Sequence, residues 1–168
     1  MHDPPGSDAL VPDTPEPDTS GNDTARYDAA GRPTHLRPGL LALVFAGGVI
    51  GTAARAAVAL VVPQPAGVPL PTLTVNIVGS FLLGVLLEVL ARRGPDVGVL
   101  RAARLTVGTG FLGGFTTYSS LTAETGALSL AGSGGIAAAY AVGSLLLGLL
   151  AAWAGILVGS VLAPGGRR

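Results

Sequence analysis

Residues 108–120 read GTGFLGGFTTYSS, and Gly108, Gly110 and Gly113 satisfy the spacing G-x-G-x-x-G. In an α/β domain that spacing cradles a dinucleotide, provided a strand precedes it, a helix follows, and an acid stands about 20 residues on. Here the glycines lie inside a long apolar run, and the next acid, Glu124, is only 11 residues past Gly113. The nucleotide reading therefore fails. The same residues suit another chemistry. Gly110, Gly113 and Gly114 can release a helix, and the hydroxyls of Thr116 and Thr117 can cap the helix that restarts. Irregular backbone at membrane depth persists only when buried in protein or facing a wet cavity. Freed carbonyls at such breaks can hold a small cation.

Other polar side chains punctuate the apolar runs: Arg55, Asn76, Glu124 and Tyr140, with Ser80, Ser119, Ser120, Thr122 and Ser144. Ionisable groups at membrane depth are functional candidates by default. Asn76 is the sharpest, because its amide offers two donors to an anion in a low-dielectric setting. Each candidate also has a packing reading. Asn76 can join two helices, Arg55 can snorkel to a headgroup, and Glu124 can be solvated near an interface. Phe111, Phe115 and Trp153 read as packing residues. Catalysis has little material. The chain has no Cys and no Lys, and its two histidines, His2 and His35, precede the first apolar run. That leaves the apolar body without a thiol, a Schiff-base amine or an imidazole base.

The elements that must position these groups are helices in a bilayer. Charged residues make up 12% of the 168 residues and apolar residues 49%. A typical soluble chain has about 25% charged residues. Residues 1–37 hold seven acids and are rich in Pro, Thr and Gly, which reads as a disordered acidic tail. Four apolar runs follow, at about 40–62, 73–91, 105–131 and 135–162, within a body of residues 38–164. Each approaches the ~20 residues that cross a hydrocarbon core of ~30 Å. They lack the alternation of a membrane strand and the polar stripe of a soluble bundle helix. The expectation is an all-α membrane protein of four transmembrane helices. The third is broken near its middle, and residues 165–168 form a short basic tail. Pro63, Pro65, Pro69 and Pro71 separate the first two helices, because proline cannot continue a helix.

Small residues recur four apart at Gly47/Gly51, Ser80/Gly84, Ser144/Gly148 and Gly155/Gly159, a spacing that lets membrane helices approach closely. A bundle this small has little interior, so it is expected to complete its packing by oligomerising. Arginines mark the cytoplasmic side of membrane helices. With four spans, the termini and the middle linker share one side, and Arg26, Arg32, Arg37, Arg92, Arg93, Arg101, Arg104, Arg167 and Arg168 all fall there. Both termini are therefore expected in the cytoplasm of a bacterial cell, with the protein multi-pass in the plasma membrane.

Three stretches together, GGVIGTAAR at 47–55, PTLTVNIVGSFLLG at 71–84 and GTGFLGGFTTYSS at 108–120, resemble the fluoride channel family known as Fluc or CrcB. The resemblance covers roughly residues 44–160. It implies antiparallel, dual-topology dimers of four-helix subunits that pass fluoride out of the cytoplasm and lower its toxicity. It implies a structural sodium ion at the dimer centre, held by backbone carbonyls at positions matching Gly113 and Thr116. It implies an ion pathway through Asn76, Tyr118, Ser119, Leu121, Glu124, Tyr140 and Ser144, with Arg55, Gly110, Gly114 and Thr117 in structural roles. Fluoride is small and strongly hydrated, so amide and hydroxyl donors, and the positive edges of aromatic rings, must replace its water.

This chain departs from the family at three points. Tyr118 and Leu121 stand where the family typically has two phenylalanines, and Gly148 stands where it usually has serine. Leu121 and Gly148 bring neither a ring edge nor a donor. Together with the strong arginine bias, this favours a chain of fixed orientation, one half of a heterodimer with a paralogous subunit, over a homodimer. Two other classes compete. A small multidrug transporter also has four helices but needs a carboxylate in its first helix, where this chain has Arg55. A non-conducting supporting subunit needs no pathway at all.

Overall fold

The computed structural model describes residues 37–65 and 68–163. Apart from Arg37, the tails expected at 1–37 and 165–168 lie outside the described residues. Among the described residues every regular element is helical. Helix α1 spans Pro38–Val61 and α2 spans Leu70–Arg93. The next helical run starts with α3, Gly98–Ala103, and widens over Arg104–Leu112 into a π-type coil whose hydrogen bonds reach one residue further than in an α-helix. It ends as α4, Gly113–Phe115. Helix α5 spans Tyr118–Leu130 and α6 spans Gly134–Leu162.

Two boundaries differ from the sequence reading. Helix α2 begins at Leu70, so Pro71 sits in its first turn instead of blocking it. The first turn needs no donor from that position, and proline's fixed φ is already helical. The helical run after α2 begins at Gly98, inside the stretch taken as a linker. Gly94 and Gly98, with φ values of 134° and 53°, turn the chain into it.

Helices α1, α2 and α6 are each long and apolar enough to cross a membrane. Very little of their surface is buried within the chain. The buried apolar core consists of Val75, Leu90, Leu112, Phe115, Ala137 and Tyr140, whereas Phe45, Leu60, Leu130, Leu145 and Val161 are largely exposed. That inversion is what a lipid solvent allows, since apolar side chains gain nothing by leaving it. The protein is a multi-pass membrane protein. Trp153, read from sequence as a packing residue, is 60% exposed. It lies off the seam with α2, which runs through Ala152, Gly155 and Gly159.

Backbone approach holds the bundle together. A β-carbon at Gly47 would stand 2.1 Å from the Thr106 carbonyl oxygen, and one at Gly51 would stand 2.0 Å from that of Phe111. Only glycine admits such contact between α1 and the wide coil. Across α2 and α6, Gly84 faces the Ala152 carbonyl and Gly155 faces that of Phe81 in the same way. Phe111 and Phe115 stack with centroids 5.7 Å apart, which is the packing role read from sequence.

Candidate ion pathway at the helix break

Helical geometry stops at Thr116 and Thr117, whose φ/ψ values of −81°/161° and −152°/124° are extended. The glycines expected to release the helix do not do so. Gly113 remains helical, and Gly110 and Gly114 pack their bare α-carbons against the Val44 and Gly48 carbonyls of α1. They let the broken segment approach α1, and the two threonines carry the break. Thr116 turns its hydroxyl back onto the Leu112 carbonyl at 2.9 Å, closing α4. Thr117 opens α5, its hydroxyl oxygen accepting from the Ser120 N–H at 3.2 Å. Ser119 Oγ lies 3.2 Å from the same hydroxyl.

Asn76 seals this break from α2. Its Oδ1 accepts from the Thr117 N–H at 2.8 Å, and its Nδ2 donates to the Thr117 carbonyl at 2.9 Å. The amide thus replaces the partners that extended backbone lost. Sequence reasoning credited Asn76 with two free donors, but one Nδ2 hydrogen is committed to Thr117, leaving one. Because the Thr117 N–H turns to Asn76, the Gly113 carbonyl loses its regular helical donor. Arg55, half-buried, donates from Nη1 to the Thr116 carbonyl at 3.3 Å. Its guanidinium meets no carboxylate among the described residues.

A second polar cluster lies further along α5. Glu124 is half-buried, and each carboxylate oxygen accepts one hydroxyl. Thr72 donates to Oε1 at 2.7 Å and Tyr140 to Oε2 at 2.7 Å. Glu124 is therefore engaged by α2 and α6 in place of the plain solvation allowed by the sequence. Thr72 was not singled out from sequence. The available signal was its spacing: Thr72, Asn76 and Ser80 fall four apart on one face of α2.

Two cavities open beside the break. One of about 340 Å³ lies against Gly113, Thr116 and Thr117. The other, about 860 Å³, is a groove beside α5 and α6 that reaches Thr122, Ser144 and Gly148. Asn76, Ser80, Tyr118 and Leu121 line both. The structure thus gathers Asn76, Tyr118, Leu121 and Ser144 along two adjoining cavities, with Ser119 beside the Thr117 cap. Arg55 and Glu124 share a separate crevice of about 270 Å³ beyond Thr117. Amide and hydroxyl groups lining such spaces can shed water from an anion without offering it a fixed counter-charge.

The family profile described as CrcB-like protein, Camphor Resistance (CrcB), matches residues 42–156. This chain belongs to the CrcB family. It is 47% identical over 133 residues to a protein of Cutibacterium acnes named Fluoride-specific ion channel FluC 1, covering 79% of this chain and 92% of that protein. It is 45% identical over 130 residues to Fluoride-specific ion channel FluC 2 of Leifsonia xyli, covering 77% and 90%. A third relative, Fluoride-specific ion channel FluC of Deinococcus radiodurans, is 47% identical over 120 residues, covering 69% and 91%. The family consists of channels, and catalysis is not its business.

Proposed function

We infer that this chain is a subunit of a passive, fluoride-selective channel that lets fluoride leave the cytoplasm. The observation that carries this is the pair of cavities meeting at Asn76, Ser80, Tyr118 and Leu121, in a chain whose relatives are named as fluoride channels. Residues 98–130 form the fourth crossing, broken near its middle at Thr116 and Thr117. Ions pass Asn76, Tyr118, Ser119 and Leu121 and continue along Ser144, Tyr140 and Glu124. The scarcity of buried side chains leaves surface for a second subunit to cover, and the family resemblance is the ground for inserting that subunit oppositely. The arginines of the tails and middle linker favour cytoplasmic termini at the plasma membrane.

A sodium ion would sit on carbonyls that keep a lone pair to spare. The Gly113 carbonyl fits, since the Thr117 N–H is committed to Asn76. The Thr116 carbonyl keeps one lone pair beside its bond to Arg55. Two oxygens per chain would be matched by two from a partner, and the cation would fix the opposed breaks against each other. The test is fluoride efflux from liposomes, read with an electrode. Purified protein is used alone and then with a co-expressed paralogue. Efflux with chloride retained is the expected result, and no efflux in either form sinks the reading. One observation favours a second reading, a supporting subunit. Leu121 and Gly148 leave part of the groove without donors, and efflux only with the paralogue would select it.

A further inference from the structure

We propose that Ser80 is a pathway residue that sets fluoride passage, handing the ion from Asn76 at the helix break to Ser144 in the groove. This deepens the channel reading and rests on it. Ser80 lies one turn beyond Asn76 on the same face of α2 and, like Asn76, lines both cavities. Most other hydroxyls near the break are occupied. Those of Thr116, Thr122 and Thr125 each bond back to a carbonyl four residues earlier in the chain. Ser80 Oγ makes no such bond among the described residues. It reaches towards α6 and stands 3.6 Å from where a β-carbon of Gly148 would be. The hydroxyl therefore faces the space that the missing side chain at 148 leaves open.

Ser144 supplies an independent observation. It is 5% exposed and lines the same groove one turn before Gly148, yet among the described residues its hydroxyl has no hydrogen-bond partner. An orphaned buried hydroxyl costs on the order of 1–3 kcal/mol, so such groups ordinarily have a ligand or water to bond. The free Nδ2 hydrogen of Asn76, the Ser80 hydroxyl and the Ser144 hydroxyl form a series of unspent donors from one cavity into the next. Leu121 forms an apolar part of the same lining. A small hydrated anion needs closely spaced donors to leave its water, and Ser80 fills the interval between the other two.

The experiment is fluoride efflux from liposomes, in whichever form of the channel conducts. Ser80→Ala is expected to slow efflux at least tenfold while dimer assembly, read by size-exclusion chromatography, is unchanged. Adding Gly148→Ser to Ser80→Ala is expected to restore much of the rate, because the new hydroxyl enters the same space from α6. Ser80→Thr and Ser80→Val form a matched-volume control, in which only the threonine variant should conduct near the unaltered rate. Efflux by Ser80→Ala within twofold of the unaltered channel overturns the proposal. So does equal efflux by the threonine and valine variants, or a loss that Gly148→Ser leaves unrepaired. An unaltered channel that passes no fluoride in any form overturns the channel reading itself, a separate failure.

Discussion

Gly148 and Gly155 sit two turns apart on α6, and their surroundings are opposite. At Gly155 a β-carbon would lie 2.1 Å from the Phe81 carbonyl oxygen, so backbone fills the space. At Gly148 the nearest neighbour is the Ser80 hydroxyl at 3.6 Å, and the space opens into the groove. One half of α6 is used to close the fold against α2, and the other to leave room beside α5. The same residue type thus serves adhesion in one place and vacancy in the other. The partner helix decides which. Helix α2 runs directly along the Gly155 end, whereas α5 and α2 flank the Gly148 end and the break at Thr116–Thr117 separates α5 from α4.

The sharpest way to break this comparison is Gly155→Val. Three added carbons must displace backbone across the α2–α6 seam, and overpacking costs on the order of 1–3 kcal/mol or more. The expected outcome is loss of the monodisperse species in detergent, and a normal elution profile would show that the seam is not what closes the fold. Next comes Asn76→Ala, which leaves the Thr117 N–H and carbonyl without their partners. Unpaired buried backbone groups cost about 1–3 kcal/mol each. Fluoride efflux should fall by roughly a hundredfold or more, with a lower thermal midpoint, and unchanged efflux would remove Asn76 from the pathway.

A smaller effect is expected from Glu124→Gln. The amide can still accept from one of Thr72 and Tyr140, but its NH2 group faces the other hydroxyl as a donor. Efflux should fall roughly tenfold, equivalent to about 1.4 kcal/mol, and Tyr140→Phe should reproduce part of that loss. If Glu124→Gln conducts normally, the cluster serves packing alone. The smallest effect sharpens the contrast between membrane interior and surface. Asp96 and Arg104 form an exposed ion pair at 3.2 Å. Exposed pairs contribute about 0.2–1 kcal/mol. Asp96→Asn should therefore move the thermal midpoint by no more than about four degrees and leave efflux intact.

The sequence by itself determined the solvent and the family. Long apolar runs with few charges cannot fold their surface away from lipid, so membrane helices follow from composition and length. It also marked the polar residues worth watching, because Arg55, Asn76, Glu124 and Tyr140 are costly in such surroundings. Only the tertiary structure decided what each one touches. Glycines in GTGFLGG looked like the point of rupture, but helix release depends on what lies across from a residue. There α1 presents carbonyls that only a bare α-carbon can approach, so Gly110 and Gly114 became contacts and Thr116–Thr117 became the break. Asn76 looked like a pair of free donors until Thr117 was placed opposite it. Thr72 drew no attention, because a threonine near the start of a helix acquires meaning only when Glu124 arrives from 52 residues away. Solvent preference is a sum over local residue properties and is legible in one dimension. Hydrogen-bond partnership is a relation between distant segments, and it exists only once packing has brought them together.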